Sequence, residues 1–581
     1  MTGSFIRRLA VLLPALLLLS APWGGEAVEY GQKPELVIES GRHSAMIRRM
    51  AIDPRGRFLA SVSDDKTLRL WSLPQGTPLH ILRVPIASGA EGRLYGVAVA
   101  PDGATVAAGG ATGLEMTGQA VIHLFDPIDG QIKGRIPGLP RAINHLEYSG
   151  DGHLLAVGLA DSGGLWVFQM PSGRMIFKDT DYQGAINWID FSPQGGLAVA
   201  GADGSIRLYD SRLQRQAKAR VFRDDVPFGI AFSPDGQRLA VGGWERPGVA
   251  VFDPKSLRLM YSADISGGTG SFQVVAWSTD GAQLLAGGFF RKQVRRVVRR
   301  WSNGGRGGFV DIPVAEEAIM AILPLADGGL AFAAADPTLG VLNSQGFVRF
   351  HHGRPQVMFQ GIERRLLASQ DGRTVAFPMA PGQAATRAFS LERLRMEPVE
   401  PLAQGLIDPV MEQQRGGIAL QAVAGKIHVN NRPVELADGE QAQTWATDAS
   451  GQILALGTSR RLRVQAATGR QYWEKYLPGA VWGLHVTGNH RWVIAALGDG
   501  TIRWFGLFTG REQLSLFPHA DGQRWVAWTP ANLFVTAPGA EDMVGWHVNR
   551  GAGLAPLWQS ITSWGAAFRR PDLIRAVLSG G

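Results

Sequence analysis

The chain is 581 residues long, 45% hydrophobic and 19% charged, which is apolar material enough for large cores and too little charge for a disordered chain. Its formal net charge of +8 is thinly spread and argues against a nucleic-acid partner, while the absence of cysteine excludes disulfides, thiolate nucleophiles and thiolate metal sites together. The 75 glycines sit in short turns, so the length reads as two large domains or one long repeat array of an all-β protein.

Residues 1–27 read as a secretory signal peptide. Arg7 and Arg8 form a positive start, Leu9 to Leu19 an apolar run, and Gly25-Glu26-Ala27 places small residues around a cut. The run is shorter than the roughly 20 residues a membrane-spanning helix needs. The expectation is an exported protein, periplasmic or secreted, with no integral membrane segment after cleavage; the alternative is an uncleaved anchor. Lack of cysteine fits an oxidising compartment.

Beyond the signal a repeat begins. Ile52-Asp53-Pro54-Arg55-Gly56 is a turn, Leu59 to Ser63 a run of small and branched residues, Asp64-Asp65 a second turn, and Thr67 to Trp71 a strand ending in tryptophan. Alternating strands separated by such turns make one twisted four-stranded blade. The pattern recurs at about 40–45 residues: Pro101-Asp102-Gly103, Gly150-Asp151-Gly152, Phe191-Ser192-Pro193, Pro234-Asp235-Gly236, Thr279-Asp280-Gly281 and Ala326-Asp327-Gly328 each lead to a later apolar strand. Position by position the first unit resembles the WD40 repeat. The resemblance implies that His43, Ser61, Asp65 and Trp71 form a buried hydrogen-bonded tetrad with a structural role.

Past Asn343 the signal weakens. Turns at Asp371-Gly372, Ser450-Gly451 and Asp499-Gly500, and the run Trp525 to Pro530 followed by Gly545-Trp546-His547, read as further blades, and the stretch from Leu402 to Leu436 is expected to hide one more. The predicted architecture is all-β, with tandem WD40-type β-propellers: a first of about seven blades over 28–345, a second of six or seven over 346–550, and a tail over 551–581. Leu36-Val37-Ile38 is a candidate strand for completing a last blade. In the tail, Pro571 to Leu578 reads as a short helix with Leu573, Ile574, Val577 and Leu578 on one side, packed on its own propeller or docking a partner.

A narrower resemblance rests on Phe332 to Gly340, Gly498 to Trp504, Leu516 to Gly522, Trp525 to Pro530, Gly545 to Gly551 and Arg570 to Ile574. These strings look like the WD40 region of bacterial caspase-like (metacaspase-type) proteins, where propellers are joined to a cysteine peptidase domain. Such peptidases need a cysteine nucleophile, so the resemblance implies only the non-catalytic region here.

No serine-hydrolase elbow, zinc-peptidase motif or phosphate loop is present, and no cofactor is expected. His351-His352 would point to opposite strand faces, and His519 beside Asp521 reads as a hydrogen-bonded turn. The run holding Arg291, Lys292, Arg295, Arg296 and Arg299 is either an interaction patch for an acidic partner or anionic glycan, or a solvated hairpin. Trp71, Trp166, Trp301, Trp504 and Trp546 are expected in blade strands. The leading functional expectation is a monomeric, non-enzymatic scaffold for protein partners. A regulatory partner of a separately encoded caspase-like peptidase and a propeller enzyme with a channel metal are the alternatives.

Overall fold

Ser-x-Asp-Gly turns separate short apolar runs, and each folds back on itself for a local reason. In the turn at Asp151, the Ser149 hydroxyl and the His153 amide both donate to one carboxylate oxygen, at 2.5 and 3.0 Å, and Gly152 takes φ +74°, where a side chain would be strained. The turn at Asp280 repeats this with Ser278 and Ala282. Each turn joins the first and second strands of one antiparallel sheet.

The computed structural model describes residues 34–579, except 88, 246–247, 381, 401–402, 424–425, 437–439, 552–553 and 562–564. The signal peptide reading at 1–27 lies outside the described residues. Seven sheets follow one another over 47–83, 94–139, 143–179, 186–220, 227–262, 272–315 and 319–352. They form the first propeller, its seventh blade running through His352. Second strands such as Phe58–Ser63 are wholly buried, whereas outer strands such as Arg215–Arg220 are largely exposed. Small residues let neighbouring blades approach: a Cβ on Gly109 would stand 2.5 Å from Ile143 of the next blade. The ring closes by side-chain packing of Ile47, Leu59 and Trp71 in the first blade against Ala333, Val341 and Phe350 in the seventh.

The second half is also all-β, and its sheets run on a different plan. Among the described residues it holds five sheets, one of which carries strands of two successive blades. Four-stranded sheets lie at 414–433, inside the stretch expected to hide a blade, and at 442–476. A five-stranded sheet spans 367–407, and a six-stranded one spans 481–536. Trp525–Pro530 and Gly545-Trp546-His547, read as one blade, fall in two different sheets. Glu512–Pro518 is followed by a turn in which Asp521 accepts the Gln523 amide at 2.9 Å, the same device that joins first and second strands elsewhere. That strand therefore ends one blade and begins the next, and Trp525–Trp528 and Phe534–Thr536 extend its sheet.

Val544–Val548 is left to pair with Leu557–Ser560 on one side and, on the other, with Glu35–Ile38 from the start of the described chain. The N-terminal strand thus completes a sheet of the second array. The tail helix, Pro571–Ala576, packs on its own array: Ile574 and Leu578 are buried with Val357, Trp504 and Phe534, while Leu573 faces solvent.

Candidate functional site

In the first blade the four residues expected to form a tetrad meet. His43 Nδ1 lies 2.8 Å from Asp65 Oδ2, His43 Nε2 lies 2.8 Å from Ser61 Oγ, and the Trp71 indole N–H donates to the same Oγ at 2.8 Å. Asp65 also accepts from the Thr67 hydroxyl and from the amides of Ser44 and Thr67. Burial opposes its ionisation, but attraction and hydrogen bonding from His43, with Arg69 and Thr67, hold the carboxyl well below its usual range. Every side-chain polar atom of the four residues has a partner, and the bonds tie the loop before the first strand to the second and third strands, which suits a clamp within the blade.

A second buried motif escaped the sequence reading. Asp65, Thr67 and Arg69 recur in spacing as Asp203, Ser205 and Arg207, and as Asp499, Thr501 and Arg503. Arg207 is fully buried; it donates to Ser205 Oγ at 2.6 Å and to Asp203 at 2.7 Å, and its guanidinium lies 3.7 Å over the Tyr182 ring. The signal that finds the motif is Asp-x-Ser/Thr-x-Arg at the turn between second and third strands. In the first blade the additional acid comes from outside the blade: Glu39, just past the N-terminal strand, bonds Arg69 and Arg83, each at 2.8 Å.

The basic run divides. Arg291–Lys292 and Arg295–Trp301 form a hairpin in the sixth blade, with Arg291 and Lys292 exposed and Arg295 and Arg296 half-buried. Arg299 does not belong to that face: it is wholly buried, bonded to both oxygens of Asp311 at 2.7 and 2.9 Å and stacked 3.6 Å from Phe309. The Arg296 guanidinium donates to the Phe289 carbonyl at 2.6 Å.

The remaining histidines hold structural positions. His352 stacks 4.8 Å from Trp71 across the ring closure, and His351 lies near Phe332. His519 and Asp521 sit 2.9 Å apart in a turn that Arg524 also binds. Trp71, Trp301, Trp504 and Trp546 are fully buried in strands, and Trp166 is half-buried. Among the described residues no group of three or more histidine or acidic side chains could hold a metal ion.

Two of the open regions gather side chains from several blades. One is the central channel of the first propeller. Each innermost strand has a bulge at its second or third residue, and the bulged side chains Arg48, Tyr95, Asn144, Asn187, Phe228 and Met320, from six different blades, line one cavity of about 290 Å³. Further along two of these strands stand Glu147 and Asp190. Burial and the neighbouring Asp190 push Glu147 well above its usual range, and burial pushes Asp190 to about 7.

The other region is a cleft where turns between second and third strands of both arrays face each other. Two cavities of about 450 and 430 Å³ adjoin there, sharing Asp64, Arg93, Pro478 and Asp499. Tyr476, 69% exposed, borders the first; Trp482 and Arg460 border the second. Arg48 lines both the second cavity and the channel, so cleft and channel mouth are neighbours.

Residues 35–72 and 175–210 match the family model described as WD domain, G-beta repeat. The first match covers the tetrad blade together with the N-terminal strand. The chain is 30% identical over 171 residues to WD repeat-containing protein 1 of Xenopus tropicalis, covering 29% of this chain and 26% of that protein. It is 26% identical over 230 residues to Ribosome biogenesis protein BOP1 of Rattus norvegicus, covering 35% and 32%. Periodic tryptophan protein 2 homolog of Neurospora crassa is 26% identical over 156 residues, covering 24% and 17%. The matches span less than a third of each relative's own length. Sequential four-stranded blades and a closed seven-bladed ring give the chain a WD40-type β-propeller fold, and the repeat matches fall on its blades.

Proposed function

We propose that the chain is a non-catalytic scaffold that holds a polypeptide segment of a protein partner in the cleft between its arrays. The observation that carries this reading is the convergence of turns from both arrays on one groove, with the exposed Tyr476 beside Arg93. Tyrosine and arginine are side chains that anchor protein interfaces, and here both line a concave surface. Support also comes from the relatives, which are WD-repeat proteins, a class that works by holding partners. The acids and bases of the tetrad and of the Asp-x-Ser/Thr-x-Arg clusters are engaged with one another in buried bonds within single blades, which fits holding rather than reacting.

Two finer statements belong to the same proposal. Export rests on Arg7, Arg8 and the apolar run Leu9 to Leu19. A caspase-like peptidase as the partner rests on the strings around Gly498 to Trp504 and Gly545 to Gly551. The test places a photo-crosslinking amino acid at Arg93, Arg460 or Tyr476 in the cleft, and at Lys218 on an outer strand, in cells that make the chain. A protein joined from the cleft positions and absent from Lys218 is the expected outcome, and its identity and compartment decide both finer statements. Equal labelling from all four positions, or none, overturns the cleft as the docking surface.

A further inference from the structure

The central channel of the first propeller holds a cation, Arg49, that has no acid within ion-pair distance among the described residues. Arg49 is 8% exposed; one terminal nitrogen donates to the Asn187 carbonyl at 2.9 Å and the other to the Arg48 carbonyl at 3.1 Å, while its Nε is buried without a hydrogen-bond partner. The guanidinium lies 4.1 Å over Trp188 and 5.7 Å from Phe228, so it reaches from the first blade to the fourth and fifth across the channel. Its neighbour Arg48 differs, with both contacts made to Asp64 at 2.9 and 2.8 Å. Burial, with the Arg48 charge, pulls the Arg49 guanidinium down to about 9. Carbonyls and ring faces offset only part of the cost of taking a cation from water. An apolar side chain would bridge the channel more cheaply.

The cavity that Arg49 lines is near the lower size limit of small-molecule pockets. Tyr95, Phe228 and Trp244 give it aromatic walls. Asn144 and Asn187 use their amide N–H groups on the Ile186 and Pro227 carbonyls, at 3.4 and 3.0 Å, which leaves each side-chain oxygen as an acceptor. The complementary ligand has an anionic group for Arg49, an N–H group for an amide oxygen, and an apolar body for the rings.

We propose that this channel binds a carboxylate with an adjacent N–H group and an apolar side chain, the chemistry shared by acylated amino acids and peptide C-termini, with Arg49 taking the carboxylate. The proposal does not rest on partner docking in the cleft. It is tested by titration calorimetry of the full chain with N-acetyl-leucine and N-acetyl-phenylalanine, each as free acid and as primary amide. A ten-residue peptide ending in leucine, also as acid and amide, is the third pair. The expected result is at least one acid binding tenfold or more tightly than its amide, with the preference lost in Arg49→Met. If the peptide acid shares it, the source is a protein chain end; if only the acetylated residues do, it is a free small molecule.

No acid outbinding its amide, or a preference that survives in Arg49→Met, overturns the proposal. The acid-against-amide comparison uses the unaltered chain and stands even if that variant fails to fold. Asn187→Leu then supplies the second check, with acid binding weakened at least fivefold expected and unchanged acid binding counting against the site.

Discussion

His123, His485 and His547 are each at most 3% exposed, and none has an acid within ion-pair distance among the described residues. Burial, helped by Arg135, lowers His123 to about 3; burial lowers His485 to about 4; burial, with the Arg83 charge, lowers His547 to about 4. In the unfolded chain a histidine takes its proton near its ordinary value of about 6.5. The unfolded state therefore binds more protons between about 6.5 and 4, for His123 down to about 3, and each histidine's contribution is complete above its window and lost as pH falls through it. Glu147 and Asp190, whose folded values are raised, act in the opposite sense over part of the same range. A comparison isolates one group: His485→Phe, which has no proton to take up, should gain on the unaltered chain by about 3 kcal/mol between pH 6.5 and 4. Urea denaturation of both chains across that range measures it, and parallel pH profiles would show that His485 is not held neutral.

At the scale of strands, the first propeller was legible because each blade carries its own turn, its alternating run and its closing strand within about 45 residues. Thr67 to Trp71 could be placed from such local marks, and the tetrad followed from the resemblance to the WD40 repeat that those marks carry. The second array was less legible for two physical reasons. Glu512–Pro518 serves two blades at once, which no count of turns reveals, and Val544–Val548 takes its partner from Glu35–Ile38, some five hundred residues away. Leu36-Val37-Ile38 could be read as a strand seeking a sheet edge, but an alternating run does not say which edge. The channel residues were hidden by bulges, since a bulged residue such as Asn144 breaks the two-residue alternation that marks a face. The N-terminal strand also makes a prediction. A chain beginning at Ser40 leaves one edge of Val544–Val548 unpaired, so amides of 544–548 should exchange hydrogen at least tenfold faster while those of Leu239–Gly243 stay unchanged. Unchanged exchange in both would mean that the last sheet does not need the strand.

Across the whole molecule, the cleft exists because a few contacts near the N-terminal strand set the two arrays at one angle. Glu39 is held between Arg69 and Arg83 of the first blade while its own strand pairs in the last sheet, and Arg83 lies 4.0 Å over Trp558 of that sheet. Asn549 exchanges hydrogen bonds with the backbone of Ile86, and the Gln356 amide donates to the Ser44 carbonyl at 2.6 Å. Removing one partner of a buried ion pair costs about 3–5 kcal/mol, because the partner is left charged and desolvated, whereas an exposed pair is worth about 0–1 kcal/mol. Glu39→Ala strands two guanidiniums at this junction, and the cheapest relief is for the arrays to part and admit water, since each keeps its own core. Small-angle scattering should then show a larger radius of gyration at unchanged strand content. Lys133→Ala, which removes an exposed partner of Asp126 at 3.7 Å, should leave both alone. If Glu39→Ala scatters like the unaltered chain, the junction is rigid without its acid, and the apolar and aromatic contacts around Trp558 set the angle of the cleft.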